Sequence, residues 1–230
     1  MNNNYLNSLN NQQKTAVNCF DGPLLILAGA GSGKTKVLTT RVANLIYNKK
    51  CFGQQILCVT FTNKAANEMR ERVNKLVNTK SNAIPWLGTF HSLSNKILRK
   101  HAEAVNLKPN FTILDTLDQL KLIRNILESE NIDIKQNSPK LILYNIDRWK
   151  NLGLTPEEVT VNKSQIEKVM SLKIYKIYQQ KLVVMNCADF GDLILHCVTI
   201  FKKYENIKKL YQKNFKYILV DEFQDTNYIQ

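Results

Sequence analysis

Two short stretches carry residue types that could do chemistry together. Ala28-Gly29-Ala30-Gly31-Ser32-Gly33-Lys34-Thr35 follows the apolar run Leu24-Leu25-Ile26-Leu27 and leads into a helical pattern, and Asp221-Glu222 follows the apolar run Tyr217-Ile218-Leu219-Val220. The first reads as a phosphate cradle, because a glycine-rich turn between strand and helix aims backbone N–H groups and the positive end of the helix dipole at one point. Glycine supplies the positive φ and the close backbone approach that such a turn needs. Lys34 can then reach β- and γ-phosphates, and the Thr35 hydroxyl can ligate Mg²⁺. The pattern G-x-x-x-x-G-K-[ST] is met at Gly33, Lys34 and Thr35, with Ala28 in place of its first glycine. In the second stretch, Asp221 is the candidate Mg²⁺ residue and Glu222 the candidate base that polarises a water in line with the γ-phosphate. A Gly/Ala/Ser turn alone also fits a plain strand-to-helix connection, and an acidic pair alone fits a solvated loop or a helix cap. The two together point to nucleotide hydrolysis.

Residues so far apart need a sheet to bring them together. Leu24–Leu27, Ile56-Leu57-Cys58-Val59-Thr60-Phe61, Ile84–Thr89 and Tyr217–Val220 read as strands, and continuous apolar runs of this kind suit parallel strands covered on both faces. Val37, Leu38, Val42, Leu45 and Ile46 share one helical face, as do Ala65, Ala66, Met69, Val73, Leu76 and Val77. Strands alternating with helices imply right-handed βαβ units. From Phe90 to Phe215 the pattern is helical almost throughout, with breaks at Pro109, Pro139 and Gly153-Leu154-Thr155-Pro156. The expected fold is α/β: a P-loop parallel sheet with helices on both faces, over residues 1–89 and 214–230, interrupted by an all-helical inserted subdomain over 90–213.

Composition bounds the remainder. The 230 residues are 44% hydrophobic and 22% charged, as in a globular protein. No apolar run approaches the roughly 20 residues of a membrane span, and the polar start Met1-Asn2-Asn3-Asn4-Tyr5 lacks a secretory pattern, so a cytoplasmic protein without membrane contact is expected. Five cysteines without C-x-x-C spacing argue against a disulfide framework or zinc site, and Trp86 and Trp149 read as packing residues. The net charge of +13, spread along the chain, fits a polyanionic partner such as nucleic acid, and fits equally a compositional bias toward lysine.

Gln13, Ala28–Thr35, Val59-Thr60-Phe61-Thr62-Asn63-Lys64-Ala65-Ala66, Gly88-Thr89-Phe90-His91 and Asp221-Glu222-Phe223-Gln224-Asp225-Thr226 together resemble the N-terminal motif series of the UvrD/Rep/PcrA group of superfamily-one DNA helicases. Phe111-Thr112-Ile113-Leu114-Asp115 and Asp189-Phe190 with Asp192-Leu193 resemble spacer segments of that group, so the likeness covers almost the whole chain. The resemblance implies a RecA-like domain that uses ATP and Mg²⁺, with its sheet incomplete at the C-terminal end of this chain. It implies an adenine-reading role for Gln13 and a phosphate-binding role for Arg72, which spacing alone would leave on a solvated helix face beside Arg70. Lys36 stands where relatives often carry arginine, keeping the charge without the bidentate fork.

The resemblance further implies that Thr60, Phe61, Thr62, Asn63, Thr89, Phe90 and His91 contact single-stranded DNA. An aromatic ring can stack on a base while hydroxyls and backbone N–H groups hold phosphates. Phe61 also ends an apolar strand, where core packing is an equal alternative, and His91 fits a helix start as well as a ligand. The expected whole is a 3′–5′ ATP-dependent helicase of DNA repair or replication, acting at single strands and duplex junctions, with other repair proteins as partners. This chain would be its N-terminal part and not itself an active helicase. A helicase–nuclease subunit and a truncated passive DNA- or protein-binding remnant are the alternatives.

Overall fold

The computed structural model describes residues 4–29, 31–79, 82–162 and 164–230. In chain order the elements are α1 (Asn11–Asn18), α2 (Lys34–Tyr47), β1 (Ile56–Thr60), α3 (Asn63–Leu76), β2 (Leu87–Thr89), α4 (Phe90–Lys100), β3 (Thr112–Leu114), α5 (Thr116–Ser129), α6 (Pro139–Asn151), α7 (Ile166–Val184), β4 (Cys187–Asp189), α8 (Phe190–Lys203), α9 (Glu205–Asn214) and β5 (Tyr217–Val220). They form two compact units, one of Met1–Leu93 with Lys209–Asp225, the other of Ser94–Lys208 with Thr226–Gln230.

The first unit is built on a parallel sheet of order β2-β1-β5. Val59 lies opposite Gly88 on one side and Val220 on the other. Ile56, Cys58, Val59 and Thr60 of the central strand are all buried, as expected when both faces of a parallel strand are covered. Ala66, Met69 and Val73 of α3 join Val42 and Leu45 of α2 in the same core. Helix α1 starts with a capping box: Asn10 accepts from the Gln13 amide N–H, and the Gln13 side chain accepts from the backbone N–H of Asn10. Trp86 meets the rings of Tyr211 and Phe215 edge-on, at 6.0 and 5.2 Å.

The expected strand Leu24–Leu27 is not a strand. No ladder pairs it among the described residues, and Leu25 and Leu27 are 68% and 86% exposed. Its apolar character would suit a buried strand, but a strand exists only where a neighbour lies at hydrogen-bonding distance. Instead, Phe20–Leu27 and Lys216–Gln224 line a groove of about 1230 Å³. The edge of β5 away from β1 is unpaired among the described residues.

The second unit departs from the all-helical expectation by a parallel pair, β3 with β4, in which Thr112, Ile113 and Leu114 face Cys187, Ala188 and Asp189. Around it pack α5, α6, α7 and α8, with a core that includes Ile123, Ile126, Ile146, Trp149, Ile174 and Tyr178. At its centre Lys150 is fully buried, its ammonium 2.6 Å from Asp189 and 2.7 Å from Asp192. Tyr178 and Gln119 also donate to Asp189, and Gln179 donates to Asp192. Burial alone would lower the Lys150 pKa, but the two carboxylates override it and keep the ammonium charged. A Cβ on Gly191 would lie 2.9 Å from Cδ of Lys150, so glycine makes room for the buried lysine stem.

The five cysteines are free thiols, with Cys51, Cys58, Cys187 and Cys197 buried and Cys19 half-buried. No described helix is long and apolar enough to cross a membrane.

Candidate functional site: a glycine-rich loop, an acidic pair and an aromatic pair

Gly31 and Gly33 take φ of +76° and +90°, the left-handed region that suits glycine, and Gly33 is the N-cap of α2. A glycine cap offers no side chain, so the first amides of α2 are left to solvent or an anion. The turn is closed by Ser32, whose hydroxyl donates to the Gly29 carbonyl at 2.7 Å. Lys34 folds back over the loop and donates to the carbonyls of Ala28 and Gly29, at 2.9 and 3.3 Å. Ala30 lies outside the described residues.

Gln13 reaches the loop from α1, its Nε2 donating to the Ser32 carbonyl at 3.0 Å. A Cβ at position 33 would come within 3.2 Å of that nitrogen, so the loop accepts no side chain there without displacing Gln13. Thr35 follows Lys34 in the first turn of α2. Lys36 points elsewhere, donating to the Ser8 carbonyl at 2.7 Å. Arg72 pairs with Glu68 on α3 at 3.7 Å with both side chains half exposed, and no described contact takes it to the loop. Arg70, which reads in the sequence as solvated, ties α3 to the sheet through the Leu87 carbonyl at 2.9 Å.

Asp221 continues the β5 ladder, its N–H donating to the Val59 carbonyl at 2.9 Å. Its carboxyl is pushed up by burial and by Glu222, and drawn down in part by Lys34, which lies within electrostatic reach. Lys34, Asp221 and Glu222 all line the groove described above. Glu222 has φ +51°, a conformation that costs a non-glycine residue of order 1 kcal/mol and clusters at functional sites. A short 3₁₀ turn, Phe223–Asp225, follows it, with the Asp225 N–H donating to the Glu222 carbonyl at 3.0 Å. Within that turn Gln224 Nε2 donates to Glu222 Oε2 at 2.6 Å. Sequence reading included Gln224 in the Asp221–Thr226 motif but gave it no separate role.

The second cluster sits where β1 and β2 end. Thr60 lies opposite Thr89, so the residues that follow, Phe61 and Phe90, are brought side by side with ring centroids 5.9 Å apart at an interplanar angle of 69°. Both rings are partly exposed, so Phe61 is not sealed in the core. Thr60 is buried, with its hydroxyl donating to the Thr62 carbonyl at 3.2 Å. Thr62 caps α3 by accepting from the Ala65 N–H at 3.1 Å, and Asn63 is exposed in the first turn. Thr89 and Ser92 hold each other reciprocally at the start of α4. His91 is half-buried, and burial pushes its pKa down from 6.5, which keeps the imidazole neutral at pH 7.

Residues 9–230 match the family model described as the UvrD/REP helicase N-terminal domain. The chain is 47% identical over 233 aligned positions to a probable DNA helicase II homolog of Rickettsia conorii, an alignment covering all of this chain and 35% of that protein. It is 47% identical to the DNA helicase II of Rickettsia typhi with the same coverage. With the ATP-dependent DNA helicase PcrA of Staphylococcus aureus it shares 43% identity, over 98% of this chain and 31% of that protein. The chain thus spans about a third of the length of these relatives.

Proposed function

From the premise that this chain belongs to the UvrD/REP helicase family, matching its N-terminal domain, we propose that it carries the ATP site and part of the single-stranded-DNA site of an ATP-dependent DNA helicase. One observation supports this reading above the others. Phe61 follows β1, Phe90 follows β2 and Asp221-Glu222 follow β5, so in a parallel sheet all of them stand at the same carboxyl edge. On this reading the acidic pair of the nucleotide site and the base-stacking ledge share one edge, with β1 between β2 and β5.

The residues fit their ligands. The backbone of Gly31, Ser32 and Gly33, the N-terminus of α2 and Lys34 suit the phosphates, with Ala28-Gly29-Ala30 completing the sequence motif. Gln13 offers an amide with both donor and acceptor to adenine. Lys36 and Arg72 would reach phosphate only by leaving Ser8 and Glu68. The Thr35 hydroxyl and the Asp221 carboxylate are hard oxygen donors of the kind Mg²⁺ takes. Bound there, Mg²⁺ would neutralise phosphate charge. Glu222 would accept a proton from the attacking water. Phe61 and Phe90 would stack bases, with Thr60, Thr62, Asn63, Thr89 and His91 shaping the ledge and holding backbone.

For the whole protein this reading extends to 3′–5′ translocation on single strands and at duplex junctions, to work in the cytoplasm, and to partnership with DNA-repair proteins. For the 230-residue chain it means weak binding of Mg·ATP and DNA without unwinding. The test is ATP hydrolysis by the full-length protein with and without single-stranded DNA. DNA-stimulated hydrolysis that falls at least about a hundredfold in Glu222→Gln supports the reading. Hydrolysis indifferent to DNA, or unaffected by that substitution, refutes it.

A further inference from the structure

Glu222 combines a functional position with an unusual conformation, and the chain invests two contacts in keeping it there. Its backbone is held at φ +51° by the 3₁₀ turn that returns the Asp225 N–H to its carbonyl. Its side chain is held by Gln224, whose Nε2 lies 2.6 Å from Oε2. A carboxylate that acts on a bound water must present one oxygen in a fixed direction, and a side chain of three torsions does not do so unaided. An amide hydrogen bond to one oxygen fixes the plane of the carboxylate and leaves the other oxygen free. The donor comes from the turn that sets the backbone, so backbone and side chain are oriented by the same three residues.

We propose that Gln224 is a positioning residue for Glu222: its amide N–H₂ holds one carboxylate oxygen so that the other faces the groove shared with Lys34 and Asp221. The inference rests on the reading of Glu222 as the hydrolytic base. Gln224 touches neither nucleotide nor metal in this assignment, and acts through Glu222 alone. Gln224→Ala removes the donor. Gln224→Glu keeps the shape but replaces the donor by an acceptor that repels the Glu222 carboxylate.

The experiment measures kcat and KM for ATP of the full-length protein at saturating single-stranded DNA, for wild type, Gln224→Ala, Gln224→Glu, Glu222→Gln and the Glu222→Gln/Gln224→Ala pair. Loss of one charge-assisted hydrogen bond predicts a roughly tenfold fall in kcat for Gln224→Ala and a larger one for Gln224→Glu, with KM within about twofold of wild type. In the Glu222→Gln background, Gln224→Ala lowers kcat no further, because two residues acting as one unit are not additive. Unchanged kcat in both Gln224 variants, a loss confined to KM, or full additivity with Glu222→Gln overturns the proposal. A wild type without DNA-stimulated hydrolysis, or a fully active Glu222→Gln, overturns instead the reading on which it rests.

Discussion

Lys150 Nζ lies 2.6 Å from Oδ2 of Asp189, and neither side chain has any exposure to solvent. Asp192 shares the same ammonium, and its own carboxyl is held below the usual range because Lys150 and His196 override the effect of burial. Removing the cation leaves two carboxylates buried and uncompensated, which typically costs about 3–5 kcal/mol. Lys150→Met is therefore expected to destabilise the second unit by that amount, and adding Asp189→Asn with Asp192→Asn to recover much of it. Urea unfolding followed by Trp149 fluorescence in a Trp86→Phe background reads it, since Trp149 packs in the same core. A Lys150→Met change of under about 1 kcal/mol would sink the expectation.

Asp147 supplies a pH dependence. Burial, and next the nearby Asp189, push its carboxyl from 3.8 up to about 6, against the pull of Lys150. A raised carboxyl binds its proton more tightly in the folded than in the unfolded chain. Its contribution is thus fully favourable below pH 3.8 and is lost as pH rises through about 6. Asp147→Asn should stabilise the protein by about 1–2 kcal/mol at pH 7.5, after discounting for partial solvent exposure, and by nothing near pH 3.5. Thermal melts of both proteins at the two pH values decide it; a gain that is equal at both would show that charge is not the cause.

Among the described residues, the Lys34 ammonium hydrogen-bonds to the carbonyls of Ala28 and Gly29. Lys34→Ala should leave the circular dichroism spectrum unchanged while weakening Mg·ATP binding about ten- to hundredfold, the loss expected for a charged hydrogen-bonding group. Titration with a fluorescent ATP analogue measures this, and equal affinity in the two proteins would exclude a phosphate contact.

The edge-to-face pair of Phe61 and Phe90 predicts a shared platform for bases. Phe61→Ala or Phe90→Ala should each weaken single-stranded DNA binding by about 1–3 kcal/mol at constant salt, with the double variant costing less than the sum. Fluorescence anisotropy with a labelled oligonucleotide would show it. Strict additivity would mean two independent contacts, and no loss would return both rings to packing.

The open side of β5 carries a solubility cost. Ile218 is 65% exposed beside the exposed Leu25 and Leu27, and unpaired edges recruit other chains. The 230-residue chain is expected to self-associate, and Ile218→Lys to reduce it, as read by light scattering across a concentration series. Identical scattering would place the sticky surface elsewhere.

Long signals were the legible ones. Helices α5 and α6 run over Thr116–Ser129 and Pro139–Asn151, inside the stretch that reads as helical, because an apolar stripe at helical spacing is a local property. Strand β5 was equally plain, being apolar and closed by an acidic pair. The pair β3 and β4 escaped because three residues show no period, and the pairing joins positions more than 70 residues apart. Leu24–Leu27 failed in the opposite way, since composition signals a strand but says nothing of a partner for its ladder. Around the site, residue types marked the loop and the acidic pair. Neither the Glu222 conformation nor the burial of Lys150 has a local signature, because both depend on what distant segments bring.

The first unit is interrupted in the chain, and that fixes an order of events during synthesis. Strand β1 ends at Thr60, but its neighbour β5 begins only at Tyr217, after the Ser94–Lys208 part of the second unit has been made. At typical ribosomal rates the interval is on the order of ten seconds, in which one edge of β1 waits without its partner. A nascent chain therefore makes Ser94–Lys208 before the acidic end of its candidate nucleotide site, and slow codons in that interval would prolong the exposure of the half-built sheet.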